Sequence, residues 1–147
     1  MARKSDTNQP TLKDCATIEL PSFKDDRGCL TLIDNEAASK LLPFVPKRCF
    51  WIHSINKECS RGEHAHRTCW ELVVPVCGGF RLTLNDGKHE TTLFANDPTK
   101  GIVIPPMVWC RLWDFKMETV CLVLASDDYD PSGYINELDA FLKETSK

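Results

Sequence analysis

Two histidines at alternate positions form the first candidate site in this chain. His64 and His66 occur in the run Arg-Gly-Glu-His-Ala-His, residues 61–66. On an extended strand, residues two apart point to the same face and lie roughly 6.6 Å apart along it. Two imidazoles placed in this way can chelate one metal ion, or can take and return a proton near neutral pH. The spacing alone leaves both chemistries open, beside a third possibility of two solvated histidines that do neither.

A carboxylate and a thiol extend the set of candidate ligands. Glu71 follows His66 by five residues, and Cys110 ends a second, apolar segment at residues 101–110. Together with His64 and His66 they would supply two imidazoles, a carboxylate and a thiolate, which suits Zn²⁺ or Fe²⁺. This metal-binding alternative stays open beside metal-free acid–base chemistry.

Short segments rich in β-forming residues must position these side chains. Turn signals separate the segments, and many short strands joined by tight turns are typical of an all-β barrel or sandwich. The pair Asp86-Gly87 predicts a tight type I′ hairpin, because both central residues of that turn need positive φ. The predicted strands are residues 17–20, 29–33, 48–55, 64–77, 80–84, 90–94, 102–104, 108–115 and 120–125.

The two ends of the chain differ from this β pattern. Near the C-terminus Ile135, Leu138, Phe141 and Leu142 recur at helical spacing, which predicts one terminal α-helix across a sheet. Residues 36–42 predict a short helical turn that ends before Pro43. Residues 1–14 are polar and aperiodic and predict a flexible N-terminal tail, which leaves residues 15–147 as a single domain.

Composition excludes several classes of protein. The chain has 147 residues, 42% of them hydrophobic and 27% charged, which fits one globular domain. Its 18 Lys and Arg against 21 Asp and Glu give a net charge of -3, so nucleic acid is not an expected partner. Neither a membrane-spanning run of about 20 apolar residues nor a secretory signal is recognisable, and we expect a cytoplasmic protein without a membrane partner.

The eight cysteines contain no C-x-x-C pair. In a cytoplasmic protein such thiols stay reduced, so we expect no disulfide framework and no structural zinc site. Most of them stand in apolar runs, where cysteine serves as a small hydrophobic residue. We therefore predict that most of the eight are buried packing residues.

The segments around the histidines resemble the two motifs of the cupin superfamily. His64, His66, Glu71 and Gly78 fit the intervals of the first motif, and residues 101–110 resemble the second. Two positions depart from it, since Met107 stands where glycine is common and Cys110 where histidine is expected. The resemblance implies an all-β fold, a single-domain cupin-like β-barrel or jelly roll with a pocket inside, to which the terminal helix is added.

Within the cupins, residues 18–142 resemble the nucleotide-sugar 3,4-ketoisomerases that act on dTDP-4-keto-6-deoxyhexoses. The segments that carry this resemblance include residues 26–28, 42–44, 61–66, 124–130 and 134–135. It implies a shift of a carbonyl from C4 to C3 through an enediol, with no cofactor and no metal. His64 would carry the proton between the carbons and His66 would assist at oxygen. The resemblance also implies a homodimer that shares edge strands.

One departure from this family bears on catalysis. The family's assisting tyrosine corresponds to Phe50, and a phenyl ring neither donates nor accepts a proton. The family often has glutamine at the position of Glu71 and histidine near Cys110. A water molecule or Glu71 could replace the phenol, or the chain could be an inactive homologue that only binds a nucleotide sugar.

A dTDP-linked keto-deoxysugar presents a diphosphate, a flat base and a sugar ring to its binding site. Arginine side chains suit the diphosphate and aromatic faces suit the base or the ring. Arg61 is the preferred diphosphate ligand, ahead of Arg48 and Arg111. Trp109 is predicted to form the floor of the pocket, and Glu71 and Cys110 are predicted to line it.

Overall fold

The computed structural model describes residues 10–147 of the chain. Its helices are α1 (Asn35–Leu41) and α2 (Leu138–Thr145). The predicted strand segments are confirmed, except that residues 64–77 form two strands and that Ser22–Asp25 and Tyr134–Ile135 were not predicted as strands. The strands are β1 (Thr17–Glu19), β2 (Ser22–Asp25), β3 (Gly28–Thr31), β4 (Arg48–Ile52), β5 (Arg61–His66), β6 (Glu71–Cys77), β7 (Phe80–Asn85), β8 (Glu90–Ala95), β9 (Lys100–Ile104), β10 (Trp109–Trp113), β11 (Val120–Ala125) and β12 (Tyr134–Ile135).

Ten of these strands form two antiparallel sheets. The first sheet has the order β1-β9-β6-β11-β4 and the second has the order β12-β5-β10-β7-β8, while β2 and β3 form a separate hairpin. Most neighbours within a sheet are distant in sequence, as in a jelly roll. The predicted all-β class and jelly-roll architecture are confirmed. Among the described residues the sheets do not join into a closed barrel.

Apolar side chains fill the space between the sheets and also cover the outer face of the first sheet. Val73 and Val123 point inward from the first sheet and pack with Leu82 of the second. The alternate residues Leu72 and Val74 pack outward with the segment around α1. Strand β6 is therefore buried on both faces, which explains its nearly continuous apolar sequence.

Helix α2 covers the outer face of the second sheet. Phe141 is fully buried and packs with Ala65 and Ile135, and its ring centroid lies 5.8 Å from that of Trp109. The predicted terminal helix is confirmed, although it begins later than the apolar spacing indicated. Ile135 belongs to β12, where it pairs with Ala65 of β5.

The hydrogen bonds of Asp86 differ from two of the predictions made from the sequence, the β7–β8 turn and the N-terminal tail. Four residues, 86–89, join β7 to β8, so the predicted two-residue type I′ turn is wrong. The Asp86 carboxylate accepts the backbone N–H groups of Lys88 and His89, which opens the loop. It also accepts the N–H of Leu12, which begins a 3₁₀ turn at Leu12–Asp14. These three residues are therefore ordered, and residues 1–9 of the predicted tail lie outside the described residues.

The cysteines are less buried than the sequence indicated. All eight lie within the described residues and are free thiols. Cys69, Cys110 and Cys121 are buried and Cys15 is partly buried, whereas the other four are exposed, so the prediction that most are buried is wrong. The exposed thiols belong to Cys29, Cys49, Cys59 and Cys77. Among residues 10–147, no helix combines the length and apolar character needed to cross a membrane.

Candidate active site

A pocket of about 420 Å³ opens between the two sheets. This volume lies in the range of roughly 300–1,000 Å³ that is usual for small-molecule sites. One part of its wall is apolar and consists of Phe50, Ile52, Val73, Ile104, Leu112 and Val123. The other part carries groups able to form hydrogen bonds or to transfer protons, namely Ser60, Arg61, His64, Glu71, Cys110 and Tyr134.

The two histidines lie side by side on β5. Their ring centroids are 4.8 Å apart and the rings meet nearly at a right angle. His66 is buried, with 5% of its surface exposed, and His64 is partly buried. The alternate positions therefore do share one face of a strand. Only His64 directly lines the large pocket, and His66 lies behind it.

A β-bulge next to the histidines determines which residues of β5 line the pocket. Cys110 of β10 pairs with His64, but Arg111 pairs with Gly62, so Glu63 is an extra residue. Gly62 and Glu63 both adopt positive φ, at 79° and 59°. The bulge changes the alternation of the strand. As a result Arg61 and His64 both line the pocket although they are three residues apart.

Glu71 reaches His66 from the opposite sheet. Its Oε1 atom lies 2.9 Å from Nε2 of His66, and both side chains are more than nine-tenths buried. The two atoms are in close contact but lack the alignment of a hydrogen bond. This contact joins β6 to β5 at the base of the pocket and places a negative charge beside the imidazole pair.

Burial and charge set the protonation states in the pocket. Burial lowers the pKa of His64, and the neighbouring His66 lowers it further, while Glu71 acts in the opposite direction. His64 is therefore a neutral proton acceptor at neutral pH. Complete burial, together with the charge of Glu71, raises the pKa of Cys110 well above its ordinary value. The Cys110 thiol consequently remains protonated.

Tyr134 is a site residue that the residue-by-residue reasoning missed. It pairs directly with His66 across β12 and β5. Its ring centroid lies 5.0 Å from that of His64 and 4.5 Å from that of His66. The segment 134–135 belonged to the family resemblance, but no local spacing indicates that it returns to β5. Its position depends on a tertiary contact.

Met107, which stands where glycine is common in the cupin motif, adopts a backbone conformation typical of glycine. Its φ is 60°, in the left-handed region that glycine adopts with little strain. The same residue donates its backbone N–H to the carbonyl oxygen of His66 at 2.7 Å. Methionine therefore keeps the backbone shape for which glycine is common in the motif, and this shape supports the strand that carries His66.

Two residues predicted to bind substrate lie on the wrong face of β10. Cys110 points into the pocket, so its neighbours point outward, because side chains alternate along a strand. Trp109 is buried against Phe141 of α2 and does not form the pocket floor. Arg111 is exposed and its Nε lies 3.5 Å from Glu63 Oε1, so it does not line the pocket either. Neither residue lines the pocket, so the predicted pocket floor is not formed by Trp109, and substrate binding by Arg111 stays a prediction.

The other two predicted arginines occupy different positions. Arg61 is exposed and lines the large pocket. Arg48 does not line that pocket and instead lines a smaller cavity of about 230 Å³ together with His66 and Tyr134. Its guanidinium carbon lies 5.2 Å from the centroid of the Phe50 ring. The predicted role of Arg48 as a diphosphate ligand is therefore not supported by its position.

Three of the four alternative metal ligands converge. His64, His66 and Glu71 each offer one donor atom, and these atoms lie within 4.8 Å of one another. Two imidazoles and a carboxylate suit several divalent transition metals. Cys110 does not belong to this group.

Comparison with known proteins agrees with this geometry. The family described as "FdtA: WxcM-like, C-terminal" matches residues 13–146. The chain belongs to this family. Over 130 residues it is 36% identical to the TDP-4-oxo-6-deoxy-alpha-D-glucose-3,4-oxoisomerase of Aneurinibacillus thermoaerophilus, which covers 88% of this chain and 91% of the relative. The resemblance inferred from the sequence is thus confirmed.

Solved structures of related FdtA-like proteins have the same fold. One is a variant of the 3,4-ketoisomerase QdtA from Thermoanaerobacterium thermosaccharolyticum in complex with TDP-4-keto-6-deoxyglucose, with 31% identity and a TM-score of 0.86 over 92% of this chain and 96% of that one. Another is the TDP-quinovose 3,4-ketoisomerase WlaRB from Campylobacter jejuni, with 33% identity and a TM-score of 0.82 over 89% of this chain and 98% of that one.

Proposed function

We propose that this protein is a 3,4-ketoisomerase that converts a TDP-4-keto-6-deoxyhexose into its 3-keto isomer. The observation that carries the proposal is His64, a neutral imidazole in the wall of a pocket that Glu71 also lines, with His66 directly behind it. The 3,4-isomerase names and the TDP-sugar complex of the relatives supply the substrate class.

The reaction needs one base that serves two adjacent carbons. His64 takes the proton from C3, and the electron pair of that C–H bond becomes the C3–C4 double bond of an enediol. The imidazolium then returns the proton to C4 as the carbonyl forms at C3. No electrons leave the sugar, so the proposed chemistry requires no redox cofactor. Positioned acid–base groups of this kind contribute about 10²–10⁴ in rate.

His66 and Glu71 support this step in the proposed mechanism. The carboxylate lies 2.9 Å from His66 Nε2 and stabilises that ring when it is protonated. The stabilised ring lies behind the pocket wall, 4.8 Å from that of His64 between centroids, so it acts on the reaction through the His64 imidazole. We propose Arg61 as the diphosphate ligand, since it is exposed and lines the pocket.

Proton NMR in D₂O tests the proposal directly. Chelator-treated protein is incubated with TDP-4-keto-6-deoxyglucose, and deuterium entry at C3 and formation of the 3-keto isomer are followed. We expect both without added metal. In His64→Asn we expect neither, because the base is lost while the polar shape remains, and TDP binding should persist. Full activity of His64→Asn would refute the role of this residue, and an inactive wild-type protein would refute the proposed reaction for this sugar.

The same assay separates two competing functions. The convergence of donor atoms from His64, His66 and Glu71 favours a metal-dependent enzyme as the second candidate. Turnover that appears only after addition of Zn²⁺ or Fe²⁺ would establish it in place of the metal-free reaction. TDP binding without any turnover would instead establish a binding protein, in line with Phe50 at the position of the family's tyrosine.

We also propose that the protein forms a homodimer. The β2–β3 hairpin belongs to neither large sheet, and it exposes 62% of Phe23 and 59% of Leu30. Trp51, 61% exposed, lies on the edge strand β4. Exposed apolar groups and strand edges favour association with another copy of the chain. The cytoplasmic location remains a prediction from the sequence.

Light scattering measures the oligomeric state. We expect a dimer for the wild-type chain and a monomer for the double variant Phe23→Ser/Leu30→Ser. The matched control is Met117→Ser, which changes a residue that is 85% exposed in the loop between β10 and β11 and should leave the dimer intact. A monomeric wild-type protein would refute the proposal.

A further inference from the structure

We infer that Tyr134 is a catalytic residue that moves the proton between the two sugar oxygens, a task for which Phe50 has no proton. This inference rests on the proposed 3,4-ketoisomerase function. While C3 loses its hydrogen, the oxygen at C4 must gain a proton, and the hydroxyl at C3 must later lose one. A group with an exchangeable proton close to His64 is therefore required, because base and acid must reach neighbouring atoms of one ring.

The position of Tyr134 meets this requirement. It pairs with His66 across β12 and β5, and directly paired residues place their side chains on the same side of a sheet. Its ring lies 5.0 Å from His64 and 4.5 Å from His66, between centroids, and it lines the pocket. Phe50 lines the same pocket from the opposite sheet. A phenol thus enters the site on β12, and a phenyl ring stands on β4.

The other polar groups of the pocket are less suited to this transfer. The Ser60 hydroxyl donates a hydrogen bond to Glu63 at 2.9 Å. The Cys110 thiol is fully buried, and a buried apolar environment opposes formation of its thiolate. Arg61 does not release a proton in proteins. Glu71 is engaged with His66. A phenol hydroxyl is both a donor and an acceptor, so it can donate a proton and recover it.

The proposed steps balance without an external reactant. His64 removes the proton from C3, the C–H electron pair forms the C3–C4 double bond, and the C4 oxygen takes the proton of the Tyr134 hydroxyl. The enediol is then complete and Tyr134 is a phenolate. The phenolate removes the proton from the C3 hydroxyl, a carbonyl forms at C3, and the His64 imidazolium protonates C4.

Tyr134→Phe tests this role because it removes one oxygen atom and keeps the ring. We expect kcat to fall by about 10²–10⁴, while TDP binding and the unfolding midpoint stay at the wild-type values. The matched control is Tyr129→Phe, which changes the other tyrosine of the chain, 67% exposed, and should leave kcat unchanged. Unchanged kcat in Tyr134→Phe would overturn the assignment.

A second variant tests the inference with Tyr134 in place. If Tyr134 already supplies the proton, Phe50→Tyr adds a redundant phenol and leaves kcat near the wild-type value. In the Tyr134→Phe background, the same change should restore much of the lost kcat, which a structural role for Tyr134 does not predict. A gain of about 10-fold or more in the single variant Phe50→Tyr, within the usual range of acid–base contributions, would show that the native site lacks a working phenol and would overturn the inference.

The outcomes separate this inference from the proposed function. An inactive wild-type protein refutes the ketoisomerase reaction, and the role of Tyr134 falls with it. An active wild-type protein with an equally active Tyr134→Phe variant refutes only the role of Tyr134. In that case the proposed function stands on His64.

Discussion

Truncation of Phe141 to alanine should impair catalysis from the far side of the sheet. Phe141 is fully buried and packs against Trp109, Ile135 and Ala65, directly behind the strands that carry the site. A Phe→Ala change in a core costs about 3–5 kcal/mol. Domains are commonly stable by about 5–15 kcal/mol, so over most of that range the variant molecules stay folded at 25 °C.

The same change should also lower kcat in the molecules that remain folded, because it loosens β12 locally. Strand β12 is held to β5 by two residue pairs, Tyr134 with His66 and Ile135 with Ala65. The cavity left by Phe141 opens beside Ile135, so β12 should loosen before the rest of the sheet. A displacement of about 1 Å in a catalytic group can cost on the order of 10²-fold in rate. We therefore expect kcat to fall by about 10- to 100-fold.

Phe80→Ala is the matched control for this prediction. Phe80 is also fully buried, packs with Phe115 at 5.7 Å between centroids, and does not line the pocket. Urea unfolding should give a similar loss of stability in both variants, and kcat should be measured where each is fully folded. Equal kcat values in Phe141→Ala and Phe80→Ala would refute the idea that α2 positions β12.

Three further predictions follow from the protonation states and burial. Burial alone would raise the pKa of Asp86, but three backbone N–H donors and His89 hold it below its ordinary value. In urea unfolding at pH 7, Asp86→Ala should therefore cost about 3 kcal/mol, and the difference should shrink as the pH falls below about 3.9. Because burial lowers the pKa of His64, the acid limb of the kcat/KM profile should lie below pH 6.5, and a limb above that value would contradict its role as base. Thiol-specific reagents should label the four exposed cysteines in the folded protein but reach Cys110 and Cys121 only after unfolding, since burial raises the pKa of Cys121 to about 12; mass spectrometry that found early labelling of either buried thiol would contradict this.

The sequence predicted the strand segments well where local pattern decides them. Strands β4 and β11 were identified from alternating apolar residues and flanking turn residues, because both signals depend only on residues close together in the sequence. At Asp86-Gly87 the pattern predicted a two-residue turn. The structure has a four-residue loop there, in which the Asp86 side chain accepts backbone hydrogen bonds. It also placed Ile135 in the helix, because Ile135 precedes Leu138 by three residues, which is the spacing of one helix face. The structure places Ile135 in β12 instead.

The site was only partly predictable for a related reason. The shared face of His64 and His66 follows from the two-residue period of a strand. The inward direction of Arg61 does not, since it requires the bulge at Glu63. The prediction for Trp109 failed because a large aromatic side chain can lie on either face of a strand. Helix α2 packs on the outer face, and its Phe141 buries Trp109 there.

By itself the sequence determined the β-rich class, the imidazole pair on one strand face, the terminal helix and the family. These features depend on short-range periodicity or on motifs that are contiguous in the chain. Only the tertiary structure decided that Glu71 meets His66 across the two sheets and that Tyr134 joins both histidines. Such contacts join residues from different sheets or from distant segments, and no local spacing encodes the register in which those strands meet.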